Sequence, residues 1–315
     1  MAFPTDTKIQ KRRKRFFSKE TLPLHLMALP VLIYLLIFAY TTMIGLVMAF
    51  QDLNIAKGPF SSPFVGFKNF EFLFTSSDAW VITRNTVCYN IVFIIVNLVL
   101  AVVMSLMLNE LHSKRYGKTL QTIYMMPYFL SFTVISIIVT AFLSRNYGMV
   151  NRVIKALGGS GKTNWYNQRA FWPPFLVFVN AWKGVGYSTV LYLAVISGIS
   201  DEYYEAALID GASKLQQARY ITIPHLRFVI SISLIMSMGG MFRGDFGLFY
   251  TVTNDSGMLY PVTDVIDTYI YRGLTTMSNV GMSTAAGLYQ SVVGFLLILI
   301  ANKVVTMIDP ETAMF

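Results

Sequence analysis

Three observations predict an all-α, polytopic membrane protein. Hydrophobic residues make up 55% of the 315 and charged residues only 13%, whereas a soluble domain carries about 25% charged residues. Six windows are apolar for about the 20 residues that a hydrocarbon layer requires. Basic residues crowd the N-terminal edge of the first window, at Lys8, Lys11, Arg12, Arg13, Lys14, Arg15 and Lys19. Positive charge in that place sets orientation and attracts anionic headgroups. The net charge of +9 is therefore a membrane signal, and no nucleic-acid partner is expected. A lone Cys88 in apolar surroundings offers neither a disulfide framework nor a cysteine metal site.

In order, the chain reads as a basic segment 1–25, one transmembrane domain 26–305 and a short tail 306–315. The expected spans lie at roughly 26–50, 86–108, 120–142, 173–197, 224–241 and 284–305. The first has too long an apolar run, and no small-residue cleavage site, for a removable signal. With the N-terminus inside, the inner segments carry 13 Lys and Arg against 10 in the longer outer loops. That bias rests mainly on the first segment, and the loop 143–171 goes against it. It predicts a multi-pass protein of the bacterial cytoplasmic membrane with both termini in the cytoplasm.

Two outer loops carry further signals. Met149, Val150, Val153, Ile154 and Leu157 fall on one helical face, which predicts an amphipathic helix at the outer interface or against neighbouring spans. The loop 242–283 is too long, and too rich in Tyr, Gly, Asp and Thr, to be a plain connector. In the last span Gly287, Ser291 and Gly294 are spaced for close helix packing.

The stretch Asp201 to Pro224 is a polar elbow between two spans. Ser200 caps a short helix whose first turn carries Asp201 and Glu202, where the macrodipole favours acid. Ala206 and Ala207 keep one face thin. Gly211 ends the helix at a positive φ, Ser213 and Gln216 restart it as a capping box, and Pro224 suits the first turn of the next span. Such an elbow looks built to dock something.

Chemistry-bearing candidates are few. Gly158 to Thr163 resembles a phosphate loop, but Ala156 stands where the pattern needs Gly, and a helix ends there instead of starting. The histidines His25, His112 and His225 sit at span edges without metal-ligand spacing. No carboxylate pair lies inside a span as an ion relay would require, so neither catalysis nor a metal is expected. Lys183, in Asn180-Ala181-Trp182-Lys183-Gly184-Val185-Gly186, is the clear charge within a span. It either faces a wet cavity, with the glycines breaking the helix to line a pathway, or snorkels outward. Arg243 and Asp245 either line the same path or simply pair with each other. Trp182, Phe249 and Tyr250 can stack on sugars or serve as interfacial belt residues.

The spacing Glu205-Ala206-Ala207, Asp210-Gly211, Ile221 and Ile223-Pro224 resembles the cytoplasmic coupling loop of ABC importer permeases, with Ile223 where Leu is usual. Trp182-Lys183-Gly184, Gly239-Gly240, Asp245 to Tyr250, Asp264 to Arg272 and Ala286 to Ser291 resemble the polysaccharide-type branch of the carbohydrate uptake permeases, over most of residues 20–315. The resemblance implies a non-enzymatic subunit that pairs with a second, homologous permease and sits on two cytoplasmic ATPase subunits. These would hold the ATP and Mg2+, and this chain would bind no cofactor. An extracytoplasmic binding protein would deliver the oligosaccharide, and the 201–222 loop would couple to the ATPases through Glu205, Ala206, Ala207, Asp210, Gly211, Ile221 and Pro224. Asn180, Trp182, Lys183, Arg243, Asp245, Phe249 and Tyr250 are the expected substrate path. A permease for amino acids or peptides is the alternative, and an ion-driven secondary transporter a weaker one.

Overall fold

A computed structural model describes residues 22–54, 58, 61–111 and 113–308. The basic cluster at Lys8–Lys19, His112 and most of the expected tail lie outside them. Among the described residues the secondary structure is helical, and one isolated bridge, Gln51 to Phe64, stands in for any sheet.

Helix α1, Leu22–Phe50, is 29 residues long and apolar on every side, so it exposes its side chains nearly throughout. Only its last turns, Ile44–Phe50, pack on the final helix. Helix α2, Ser77–Asn109, starts where the Ser76 hydroxyl accepts the Asp78 amide and runs 33 residues. Helix α3, Lys114–Met125, continues as a 3-10 turn to Phe129. There the chain breaks, bends by 95° and resumes as α4, Phe132–Leu143, capped by Ser131. Helices α5 (Met149–Ala156), α6 (Trp172–Ile196) and α7 (Asp201–Ile209) follow. Helix α8 spans Lys214–Gly239, α9 is Ile266–Thr275 and α10 is Val280–Ile308.

Four helices, α1, α2, α8 and α10, are long and apolar enough to cross a membrane, and the bent α3–α4 pair would make a fifth. The expected straight span at 120–142 is thus a broken one. The expected fourth span is present as the 25-residue α6, but Asn180, Lys183, Gly184, Gly186, Tyr187 and Ser188 leave it too polar to qualify by composition. It is lodged along α2 and against α3 and α8, so Asn180, Lys183 and Ser188 face the space between helices, while Tyr187 stays exposed.

Small residues set the closest approaches. A Cβ on Gly186 would lie 2.0 Å from the Tyr124 carbonyl oxygen, so only glycine lets α3 reach α6. Gly239 lets α8 approach α10, since a Cβ there would meet Ile298 at 3.0 Å, whereas one on Gly294 would sit at an ordinary 3.8 Å from the Gly239 carbonyl. The expected helix break at Gly184 and Gly186 does not occur. Helix α6 is continuous, and the break falls in the neighbour that Gly186 admits.

The loops 143–171 and 242–283 are folded. In α5 the buried side chain is Asn151, whose amide donates to the carbonyls of Arg145 (3.1 Å) and Thr163 (2.9 Å) and whose oxygen accepts Trp165 Nε1. Of the predicted apolar face, Val150 joins the core, while Met149, Val153 and Leu157 stay exposed. The glycine-rich stretch after it is a helix end: Gly158 has φ +88°, and the Gly159 amide closes back on Ile154 O at 2.8 Å.

Segment 242–277 is a lobe, not a loop. It holds a π-helical turn at Gly247–Val252, a short helix at Tyr260–Thr263 and α9. Its Leu248, Phe249, Val252 and Val265 sit in one core with Tyr89, Phe93, Ile135 and Trp172. Arg272 ties the lobe together. Its guanidinium bonds Asp264, bonds Asp255 at 3.0 Å and lies 4.1 Å from the Tyr260 ring centroid. Thr268 donates to the other Asp264 oxygen. Breaking a buried pair strands one charge and costs about 3 kcal/mol. We therefore expect Arg272→Met to lower the thermal unfolding midpoint of the detergent-purified protein by several degrees, with Asp264→Asn less severe. Unchanged midpoints would show that the pair holds nothing.

Candidate functional site

A cavity of about 590 Å³, with a partly polar and largely apolar and aromatic lining that includes Phe93, Leu98, Phe132 and Leu234, opens between α2, α6, α8 and the break of the third span. Asn90 and Asn97 line it from α2, Asn180 and Lys183 from α6, Ser233 and Ser237 from α8, and Arg243 and Asp245 from the turn after α8. The amide of Asn97 donates to Asn180 Oδ1 at 2.8 Å, and that of Asn90 to the Arg243 carbonyl at 3.1 Å. In an otherwise apolar bundle this concentration of amides, hydroxyls and charge has the character of a binding site for a polar solute.

Lys183 is the organising side chain. Its Nζ donates to Tyr128 O at 2.8 Å and Leu130 O at 2.7 Å, and lies 5.1 Å from the Phe132 ring centroid. Those carbonyls end the first half of the broken span, where intrahelical partners run out and the dipole is negative. The ammonium supplies both the missing donors and the compensating charge. It faces the cavity, so the snorkelling account does not hold.

Arg243 and Asp245 do not pair with each other; the ion pairs among the described residues lie elsewhere. Asp245 instead caps the following π-turn, accepting the Leu248 amide at 3.2 Å. Burial pushes its carboxyl above the ordinary carboxylate range, against the pull of the Leu248 and Gly247 amides and of Lys183. Of the seven path residues expected, Asn180, Lys183, Arg243 and Asp245 meet at the cavity. The other three do not line it. Phe249 is a core residue between Tyr89 and Phe93, Tyr250 packs on Phe246 and Tyr271, and Trp182 faces outward from α6. Asn90 and Asn97 were missed, since an isolated asparagine in an apolar helix gives no spacing signal.

The elbow folds as its residues dictate. Ser200 caps α7 by accepting the Glu202 amide at 3.4 Å. Gly211, at φ +78°, ends it, with the Ala212 amide returning to Ala207 O at 2.8 Å. Ser213 and Gln216 form the expected capping box. Pro224 follows a π-helical stretch, Ala218–Thr222, so α8 begins at Lys214 and the second half of the elbow is continuous with the span. A Tyr204–Thr222 hydroxyl bond (3.0 Å) and a Lys214–Glu110 ion pair (3.1 Å) fasten the elbow to α8 and α2. Glu205, Ala206 and Asp210 are exposed, and Ala207 and Ile221 half-buried. More prominent than the alanines are Leu208, Ile209, Leu215 and Tyr220, which are 66, 87, 80 and 67% exposed. Such a ridge of large apolar side chains marks a contact surface.

Residues 97–312 match the family described as binding-protein-dependent transport system inner membrane component. The chain belongs to that family. It is 33% identical over 288 residues to protein LplB of Bacillus subtilis, covering 91% of this chain and 90% of LplB. It is 31% identical over 296 residues to the polygalacturonan/rhamnogalacturonan transport system permease protein YteP of the same organism, covering 93% and 91%. The fold superposes, with a TM-score of 0.83 and 32% identity, on a chain of a bacterial ABC transporter involved in the import of the acidic polysaccharide alginate, over 92% of this chain and 97% of that one. A second alginate transporter structure, in complex with alginate pentasaccharide-bound periplasmic protein, gives a TM-score of 0.82 at 31% identity. This permease is thus a multi-pass translocation subunit of an ABC importer and not an enzyme.

Replacing Lys183 by Met leaves two carbonyls at the break without their donor, a loss of about 2 kcal/mol. The expected result is a lower unfolding midpoint of the purified permease, partly restored by Lys183→Arg. Gly186→Ala should abolish the folded yield, because its Cβ would collide with Tyr124 backbone that cannot withdraw. Normal yield and stability of both variants would refute this account of the break.

Proposed function

We propose that this permease carries an oligosaccharide through the cavity at Lys183 and receives the driving motion at the 201–224 elbow. The cavity carries the reading: amides, hydroxyls and charges are what a polyhydroxylated solute exchanges for its hydration shell. The similarity to YteP, a polygalacturonan/rhamnogalacturonan permease, and to the alginate importer supports a sugar cargo over amino acids or peptides. In this scheme a second permease completes the path. An extracytoplasmic binding protein delivers the sugar, as the alginate complex suggests. Two cytoplasmic ATPase subunits hold the ATP and Mg2+, and both termini of this chain lie in the cytoplasm.

The elbow suits coupling because it is stiff and anchored. Its two helices are capped internally, its hinge is a glycine with positive φ, and its second half runs directly into α8. A push on Leu208, Ile209 or Leu215 would reach the cavity through Ser233 and Ser237 on the same helix. Glu205, Asp210 and the Ala206–Ala207 face would complete the docking surface.

Gly211→Val forces a β-branched residue into a left-handed conformation, at a cost of about 1–2 kcal/mol. In proteoliposomes holding the complete importer, it should reduce ATP-driven oligosaccharide uptake at least tenfold while the subunits still co-purify. Uptake that continued without ATP, or ignored substitution of Gly211 and Leu215 together, would sink the coupling reading.

A further inference from the structure

The segment 144–171, which joins α4 to α6, carries Arg145, Arg152, Lys155, Lys162 and Arg169 and not one Asp or Glu. Arg169 is engaged, its Nε donating to the Met258 carbonyl at 2.8 Å. Arg145, Arg152, Lys155 and Lys162 are exposed, and among the described residues no hydrogen bond or ion pair engages their charged heads. Like charges gathered in one short segment repel each other, so the counter-charge comes from outside the chain.

The place of these cations is fixed by the backbone. The Gly148 amide closes back on the Ser144 carbonyl at 2.9 Å, and a Cβ on Gly148 would lie 2.2 Å from that oxygen. Helix α5 therefore starts in a tight turn directly at the end of α4. Asn151 locks it to the carbonyls of Arg145 and Thr163 and to Trp165, which packs against the core. That holds α5 at the end of a span, on the membrane face opposite the elbow.

At about 100° per residue, Val150, Asn151 and Ile154 take the inner side of α5. Met149, Val153 and Leu157 form one exposed edge, which Tyr147 extends, and Arg152 and Lys155 form the other. An apolar edge beside a basic edge is the composition of a helix lying in the bilayer interface. A soluble acidic partner would match the cations alone, and leave Tyr147 and Leu157, 75 and 82% exposed, in water. An anionic bilayer matches both edges.

We propose that α5 and its flanking turns form an anionic-phospholipid site. Tyr147, Met149, Val153 and Leu157 enter the acyl region, and Arg145, Arg152, Lys155 and Lys162 bind headgroup phosphates. The site pins the end of the broken span to the bilayer, and it accounts for basic residues in a segment that goes against the orientation bias. It does not depend on the cargo.

The test uses the detergent-purified importer complex with Cys88→Ser and Val153→Cys, the new thiol carrying a fluorophore. A label at 153 reports this patch and not the basic N-terminal segment. Phosphatidylglycerol or phosphatidylcholine, each with a nitroxide high on its acyl chain, is titrated in as a quencher. Both should quench, with phosphatidylglycerol effective at a roughly tenfold lower lipid fraction, since each basic group at an anionic surface is worth about fivefold. The preference should shrink as salt rises. Replacing Arg145, Arg152, Lys155 and Lys162 together by Gln should remove it and leave quenching by phosphatidylcholine in place, whereas Arg152→Lys with Lys155→Arg should keep it. Quenching by neither lipid, equal quenching by both, or a preference that survives the Gln variant would overturn the site. So would a label that aqueous iodide reaches until the binding protein is added, which would assign the patch to that protein.

Discussion

The structure depends on satisfying the backbone where the third span breaks. In a bilayer, an unpaired carbonyl has no water to turn to, so irregular backbone survives only where protein supplies its partners. Here the partner is a single ammonium, Lys183, reaching from α6 to Tyr128 O and Leu130 O. Gly186, one turn away on the same helix, removes the side chain that would hold the broken helix off. Both requirements fall within four residues of α6. They explain why this helix is polar, why it is packed on several sides, and why a cavity lies beside the bend.

From that constraint the rest of the architecture follows. A bent third span leaves room between α2, α6 and α8, and Asn97, Asn180, Lys183 and Ser233 on those helices face the space. The lobe 242–277 bounds one end of it with Arg243, Gly244 and Asp245, and is itself held by the packing of Leu248 and Phe249 and by the Arg272 clamp. Helix α8 lines the cavity and is continuous with the elbow, which connects this space to an exposed apolar ridge at the opposite end.

Much of the elbow was legible in the sequence because its signals are local. Ser200, Gly211, Ser213 and Gln216 each do their work within one turn of chain, and backbone stereochemistry alone requires them. The cavity was only half legible. Lys183, Arg243 and Asp245 were conspicuous as charges among apolar residues, but their partners lie far away in the chain. Arg243 and Asp245, two residues apart, suggest a pair, yet Asp245 turns to an amide end. Phe249 and Tyr250 read as sugar-stacking or belt aromatics, whereas one is core and the other packs on rings of the lobe.

The sequence by itself determined the class of protein, the helical spans and the elbow, because hydropathy over about 20 residues and the turn chemistry of single glycines and serines are short-range facts. Only the tertiary structure decided that the third span is broken, that 242–277 is a packed lobe, and that Asn90 and Asn97 face the cavity. Those outcomes depend on which donor meets which acceptor across 50 or more residues, such as Lys183 to Leu130 and Asn97 to Asn180. Such meetings are set by how helices pack, and no window along the chain contains them.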